Sequence, residues 1–167
     1  WLDEHHAESQ GLWLKLAKKT TGIPSVDYSQ ALDSALCYGW IDGQKDSFDE
    51  QYWLQKFTPR RNKSKWSKIN CNRAAALIES GRMQPAGLLQ VERAKSDGRW
   101  EAAYESQSKI TVPPDLQSEM DRNPAAQDFF NTLKGANRYA ILYRIQDAKK
   151  PETRAARIQK FVEMLNN

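Results

Sequence analysis

The chain has 167 residues, 40% of them hydrophobic and 28% charged, with a formal net charge of +4. That length holds one ordinary domain or two small ones and buries about 68–70% of the unfolded surface, so no covalent staple is needed. The composition excludes a disordered chain, and apolar runs of only a few residues exclude a membrane span, which takes about 20.

The opening WLDEHHAES reads as the end of a helix. In GLWLKLAKK, residues 11–19, Leu12, Leu14 and Leu16 alternate with Trp13, Lys15 and Ala17. A period of two predicts a strand with one face half wet. TTGIP is loop by its Gly and Pro. The stretch SVDYSQALDSALCYG predicts a helix that Ser25 or Asp27 caps, with Asp27 and Gln30 at capping-box spacing. Its apolar stripe is Tyr28, Ala31, Leu32, Ala35 and Leu36, and Gly39 supplies the stop. Two strand-like pieces, 40–48 and 52–58, flank Asp49–Glu50 and read as a hairpin.

After Pro59 the pattern turns helical. Ser67 caps a helix carrying Ala74, Leu77 and Ile78 that Gly81 ends, and Pro85 opens another with Leu88, Val91 and Ala94 on one face. Val-Pro-Pro at 112–114 marks a subdomain boundary, because proline forces the residue before it into extended backbone. Short helices follow near 115–122, 124–133 and 137–147. A last one from Pro151 carries Ile158, Phe161, Val162 and Leu165 as a core stripe. The expected fold is α+β and predominantly helical: a small three-stranded antiparallel sheet with packed helices, and a helical C-terminal part. The division runs 1–111 and 112–167, with the second part packed on the first as one unit.

Motifs for chemistry are sparse. His5 and His6 are neighbours and point about 100° apart on a helix, so they do not share a metal ion as an i, i+4 pair does. Asp42, Asp46, Asp49 and Glu50 cluster, yet Gly43 directly after Asp42 breaks the calcium-loop register. Neither GxSxG, GxGxxG nor GxxxxGK[ST] occurs. No metal and no cofactor is expected. Asp42, between Trp40, Ile41 and Gly43, is a weak candidate for acid/base catalysis, since bulky neighbours desolvate a carboxylate. Cys37 and Cys71 belong to no metal spacing, which points to free thiols in a reducing, cytoplasmic setting. Opening on Trp1 points to a trimmed natural start, so an export signal and a periplasmic location stay open beside it.

The strongest signal is charge. Residues 51–78 hold Lys56, Arg60, Arg61, Lys63, Lys65, Lys68 and Arg73 and no acid, so the rest of the chain carries −3. Arginine forks suit phosphate or carboxylate, Trp66 offers a ring face, and Ser67 at a helix start brings backbone amides to an anion. An anionic small molecule or a nucleic acid is the expected partner. The structural alternative pairs Arg60, Arg61 and Arg73 with the acidic piece 42–50, through Asp46 and Asp49, and packs Trp66 in the core.

Several stretches in fixed order resemble the YdeI/OmpD-associated bacteriocin-protection family. They are ALCYGWIDG at 35–43, FTPRRNKSKWSKIN at 57–70, GRMQPAG at 81–87 and AKSDGRW at 94–100. VPPDL at 112–116, NPAAQDFF at 123–130 and TRAARIQKFVEML at 153–165 extend the likeness to the end of the chain. The resemblance implies a role in tolerance to bacteriocins or antimicrobial peptides and supplies no reaction or cofactor. These motifs, rich in Trp, Arg, Ser and Asn, are expected to bring a ligand cleft together beside the sheet. Trp40, Asp42, Arg60 and Arg61 would form one part of it; Ser64, Trp66, Ser67, Asn70 and Arg82 would complete it. The leading expectation is a non-enzymatic binding protein with a basic aromatic surface. Nucleic-acid binding and an Asp42 enzyme are the alternatives, and capture of cationic peptides would need an acidic face elsewhere.

Overall fold

A computed structural model describes residues 1–166 and divides the chain into two compact units, one spanning Trp1–Ala103 and the other starting at Tyr104. The first unit is α+β. Helix α1 (Leu2–His5) leads into strand β1 (Leu12–Ala17), a single 3-10 turn at Lys19–Thr21, and helix α2 (Tyr28–Cys37). The hairpin β2 (Trp40–Ser47) and β3 (Tyr52–Pro59) follows, then α3 (Lys68–Glu79) and α4 (Pro85–Ser96).

Helix α2 begins where the side chains predict. Asp27 accepts from the Gln30 amide at 2.8 Å while the Gln30 side chain accepts from the Asp27 amide at 2.9 Å. The reciprocal pair satisfies two amides that have no partner within the helix. Its end is set by Gly39 at φ +74°, where a Cβ would lie 2.9 Å from the Ala86 carbonyl oxygen. Left-handed backbone and this close approach both require glycine.

The sheet is antiparallel throughout, in the order β1-β3-β2. Leu12 lies opposite Phe57, Leu16 opposite Trp53, and Trp40 opposite Pro59. Alternation therefore puts Leu12, Leu14, Leu16, Phe57 and Trp40 on one face. That face packs on Ala31, Leu32, Ala35 and Leu36 of α2, and α3 and α4 add Ala74, Leu77, Val91 and Ala94. Between Asp42 and Lys45 the register gains one residue, a bulge. The fully buried Gln55 carboxamide donates there to the Gly43 and Gln44 carbonyls at 3.1 and 3.2 Å.

Two apolar residues expected on helix stripes face water instead: Ile78 and Leu88 are exposed. The buried stripe of α3 is the narrower Cys71, Ala74 and Leu77, and that of α4 is Gly87, Val91 and Ala94. Small residues on both helices allow close packing with little width.

The second unit is helical: α5 (Pro114–Asp121), α6 (Pro124–Thr132), α7 (Gly135–Gln146) and α8 (Pro151–Asn166). Leu116, Met120, Phe130, Leu142 and Ile145 join the predicted stripe Ile158, Phe161, Val162 and Leu165 in one core. Arg154 of α8 grips Asp115 of α5 through Nε at 2.5 Å and Nη2 at 2.9 Å. The helix-rich α+β class expected from the sequence is the one observed.

Candidate functional site

The basic segment after β3 is a knot built around a stacked pair. Arg60 lies with its Cζ 3.6 Å from the Trp66 ring centroid, and its Nη1 donates to the Lys65 carbonyl at 3.3 Å. Its amide donates to the Gly39 carbonyl at 3.0 Å, tying the loop to the turn before β2. Trp66 packs in turn on Trp100, centroids 5.0 Å apart. Ser64 closes the loop by accepting from the Arg61 amide at 3.0 Å, and Arg99 donates to the Ser64 carbonyl at 3.0 Å. Ser67 caps α3 as expected, accepting from the Asn70 amide at 3.1 Å.

This arrangement corrects the expected cleft. Trp66 is 2% exposed, Trp40 1% and Arg60 6%. Neither indole offers a face to a ligand, because both are core. Trp40 donates its Nε1 hydrogen to the His6 carbonyl at 3.1 Å. Asn70 is buried too. Residues 60–70 do come together, with Trp40 reached through Gly39, but as a scaffold. Arg82 is not part of it: it follows the C-terminal end of α3, roughly 18 Å along the helix axis from Ser67. Arg61, Lys63, Lys65 and Lys68 of this segment are exposed.

The structural alternative holds for Trp66, which is packed in the core, and is corrected in its ion pairs. Arg73 pairs with Asp33 of α2 at 2.7 Å and donates to Ser29 at 2.8 Å. Asp46 accepts from the Ser47 amide and Asp49 from the amides of Gln51 and Tyr52. Those two carboxylates shape the hairpin turn rather than face the arginines.

Asp42 sits half-buried on β2, where the Tyr28 hydroxyl donates to its Oδ2 at 2.7 Å. Lys45 stands beside it, its Nζ 4.9 Å from the Trp53 ring centroid and 5.6 Å from that of Tyr28. Among the described residues, no three of His, Cys, Asp and Glu gather as a metal site requires. Burial raises the Cys71 thiol pKa to about 11, against the lowering effect of the Arg60 charge. Burial raises Cys37 as well, with Arg82 opposing. Both are free thiols.

Sequence reasoning passed over the sheet's outer face. Trp13, Lys15 and Ala17 of β1 share it with Tyr52, Leu54, Lys56 and Thr58 of β3, none of them buried. Lys56 Nζ lies 5.5 Å from the Trp13 ring centroid. Lys15 Nζ lies 4.5 Å from Tyr52 and 5.0 Å from Phe48. Trp13 is 44% exposed and Phe48 55%. The alternation in GLWLKLAKK carried this signal, since it sets Trp13 and Lys15 on the wet side. β3 ends at Pro59, and the exposed Arg61 and Lys63 follow in the loop beyond it.

The molecule is thus an α+β unit with an open aromatic-lysine sheet face, followed by a helical unit. Residues 1–90 match a domain of unknown function, DUF8412, and residues 109–167 match the family described as Bacteriocin-protection, YdeI or OmpD-Associated. The chain belongs to the DUF8412 family, which covers more than half of it, and carries at its C-terminal end the YdeI/OmpD-associated domain that the motifs resemble. The matched C-terminal stretch holds NPAAQDFF and TRAARIQKFVEML, whereas ALCYGWIDG and FTPRRNKSKWSKIN fall within the first match. No curated protein and no solved structure matches the chain. No helix among the described residues is long and apolar enough to cross a membrane.

Proposed function

We propose that the protein is a non-enzymatic binding module whose sheet takes single-stranded nucleic acid on its outer face. One observation supports this above the others: two aromatic stations, Trp13 and Tyr52, each carry a lysine ammonium on a face left uncovered. Lys56 opposite Trp13 and Tyr52 opposite Ala17 set the stations four strand positions apart, about 13 Å. That is roughly the span of two extended nucleotides, with bases on the rings and phosphates on the ammoniums. Arg61 and Lys63 extend the positive track beyond β3. An anionic small molecule gains from the lysines alone and leaves the rings unused.

An acid/base role for Asp42 has less support, since its carboxylate is engaged by the Tyr28 hydroxyl. We place the protein in the cytoplasm, where such a ligand is found and where two free thiols persist. Extending the family's description to this chain, loss of the protein raises sensitivity to bacteriocins. Unchanged killing curves refute that link.

Fluorescence anisotropy with a labelled oligothymidylate, at about 50 and 200 mM salt, tests the ligand. Binding weakens with salt, and Trp13→Ala costs about 1–3 kcal/mol, the worth of one stacked base. Lys15→Ala with Lys56→Ala lowers the logarithmic salt slope by about 1.4. Absence of binding at low salt refutes the proposal. Equal affinity for heparin, untouched by Trp13→Ala, refutes the stacking and leaves only the charge.

A further inference from the structure

On the other side of the sheet, an apolar cavity of about 390 Å³ opens between α1, β1 and α2. Leu12, Leu14 and Phe57 of the inner face form its floor, Ala31 and Ala35 of α2 one wall, and Leu2 of α1 another. The volume lies in the range of about 300–1,000 Å³ that holds small molecules. Leu2, Leu12 and Leu14 pack against the core yet stay half-buried. The chain therefore leaves apolar surface in contact with water that a ligand can cover.

The mouth of the cavity is polar. Asp3 is, among the described residues, the lining residue with a charged side chain, and the Tyr38 hydroxyl donates to its Oδ1 at 3.2 Å. Burial, then this hydrogen bond and the Asp3 charge, raise the Tyr38 pKa, so the phenol stays a donor. Ser34 adds a hydroxyl at the same rim. The first ten residues contain Asp3, Glu4 and Glu8 and neither Lys nor Arg. Asp3 therefore supplies, among the described residues, the one carboxylate of the lining at this end of the unit.

We infer that the cavity binds a slender aliphatic molecule ending in a protonated amine, its chain along Leu12, Leu14 and Phe57 and its ammonium on Asp3. A carboxylate head meets like charge at the mouth. A hydroxyl head lacks the charge-assisted hydrogen bond that an ammonium gives to a carboxylate. Leu12 and Leu14 point opposite to Trp13 and Lys15, so this site stands independently of nucleic-acid binding.

Isothermal titration calorimetry of the whole chain with decylammonium, decanoate and 1-decanol, below their aggregation concentrations, tests the inference. Decylammonium saturates at one site, octylammonium binds about 15-fold more weakly through the loss of two methylenes, and decanoate does not bind. Asp3→Asn, at an exposed position, weakens decylammonium about tenfold and leaves 1-decanol unchanged. Ala35→Leu fills the cavity and abolishes binding of both, with far-UV circular dichroism checking the fold. The inference is overturned if decylammonium gives no saturable heat, if decanoate binds as tightly, or if Asp3→Asn leaves the amine's affinity unchanged.

Discussion

Replacing Gly87 by alanine sets two forces against each other, and the structure decides between them. Gly87 lies in the first turns of α4, where alanine is the better helix former by up to about 1 kcal/mol. Its missing side chain, however, faces the end of α2. A Cβ would stand 2.3 Å from the Cys37 carbonyl oxygen, 2.6 Å from that of Leu36 and 2.5 Å from the Met83 sulfur. Methionine can rotate away, but the carbonyls are pinned. Cys37 O accepts from the Gln84 amide at 3.2 Å, and Leu36 O from the Gly39 amide at 3.1 Å. Relieving the overlap separates α4 from α2, at about 1–3 kcal/mol for overpacking and about 1 more for a strained hydrogen bond. Against the helix-propensity gain, the net destabilisation is about 1–3 kcal/mol. All six tryptophans, at 1, 13, 40, 53, 66 and 100, lie in the first unit, so indole fluorescence during urea unfolding reports that unit alone. The midpoint should fall by about 1–2 M with the slope unchanged. A Gly87→Ala protein with an equal or higher midpoint would show that helix propensity wins and that the α2–α4 contact is not close-packed.

Removing the capping box by Asp27→Ala costs the first unit about 1 kcal/mol in the same urea assay, while Asp27→Asn keeps most of it; identical midpoints for all three proteins exclude a capping role. Ellman's reagent at pH 8 finds both thiols unreactive in the native protein and both reactive in urea, because burial raises their pKa values. One fast equivalent without urea contradicts the packing of Cys37 or Cys71. In the second unit, the hydrogen bond from Arg154 holds the Asp115 carboxyl below its usual pKa, and the pair stabilises above the unfolded value of about 3.9 and loses that contribution as pH falls through the folded value. Both partners are part-exposed, so the difference between native and Asp115→Asn proteins is under about 1 kcal/mol near neutrality and vanishes in acid; a difference that persists at low pH assigns the effect elsewhere.

Regular elements were legible because each announces itself locally. Asp27 and Gln30 placed the start of α2 through side-chain chemistry, and the alternation of Leu12, Leu14 and Leu16 with Trp13 and Lys15 placed β1 through geometry. Burial within irregular segments was not legible. Arg60 and Trp66 lie six residues apart in a loop with no period, so nothing in the order of residues says that the guanidinium stacks on the indole and that both turn inward. A count of charges treats Arg60 and Lys63 alike, although arginine's flat, weakly hydrated group tolerates packing and lysine's ammonium does not. Inside the cationic window Arg60 stacks on Trp66, whereas the pairs of Lys56 with Trp13 and of Lys15 with Tyr52 join the window to β1 only by strand register. Register is a long-range property that one stretch of sequence does not contain.

A three-stranded sheet has two open borders, each a template for a further strand. Here they are unequal. The extra residue in β2, clasped by Gln55 from the neighbouring strand, twists that border and interrupts its ladder of donors and acceptors. β1 keeps an unbroken register over its whole length. Growth by strand addition, whether by a second copy or by an extended peptide, is thereby directed to one side of the molecule.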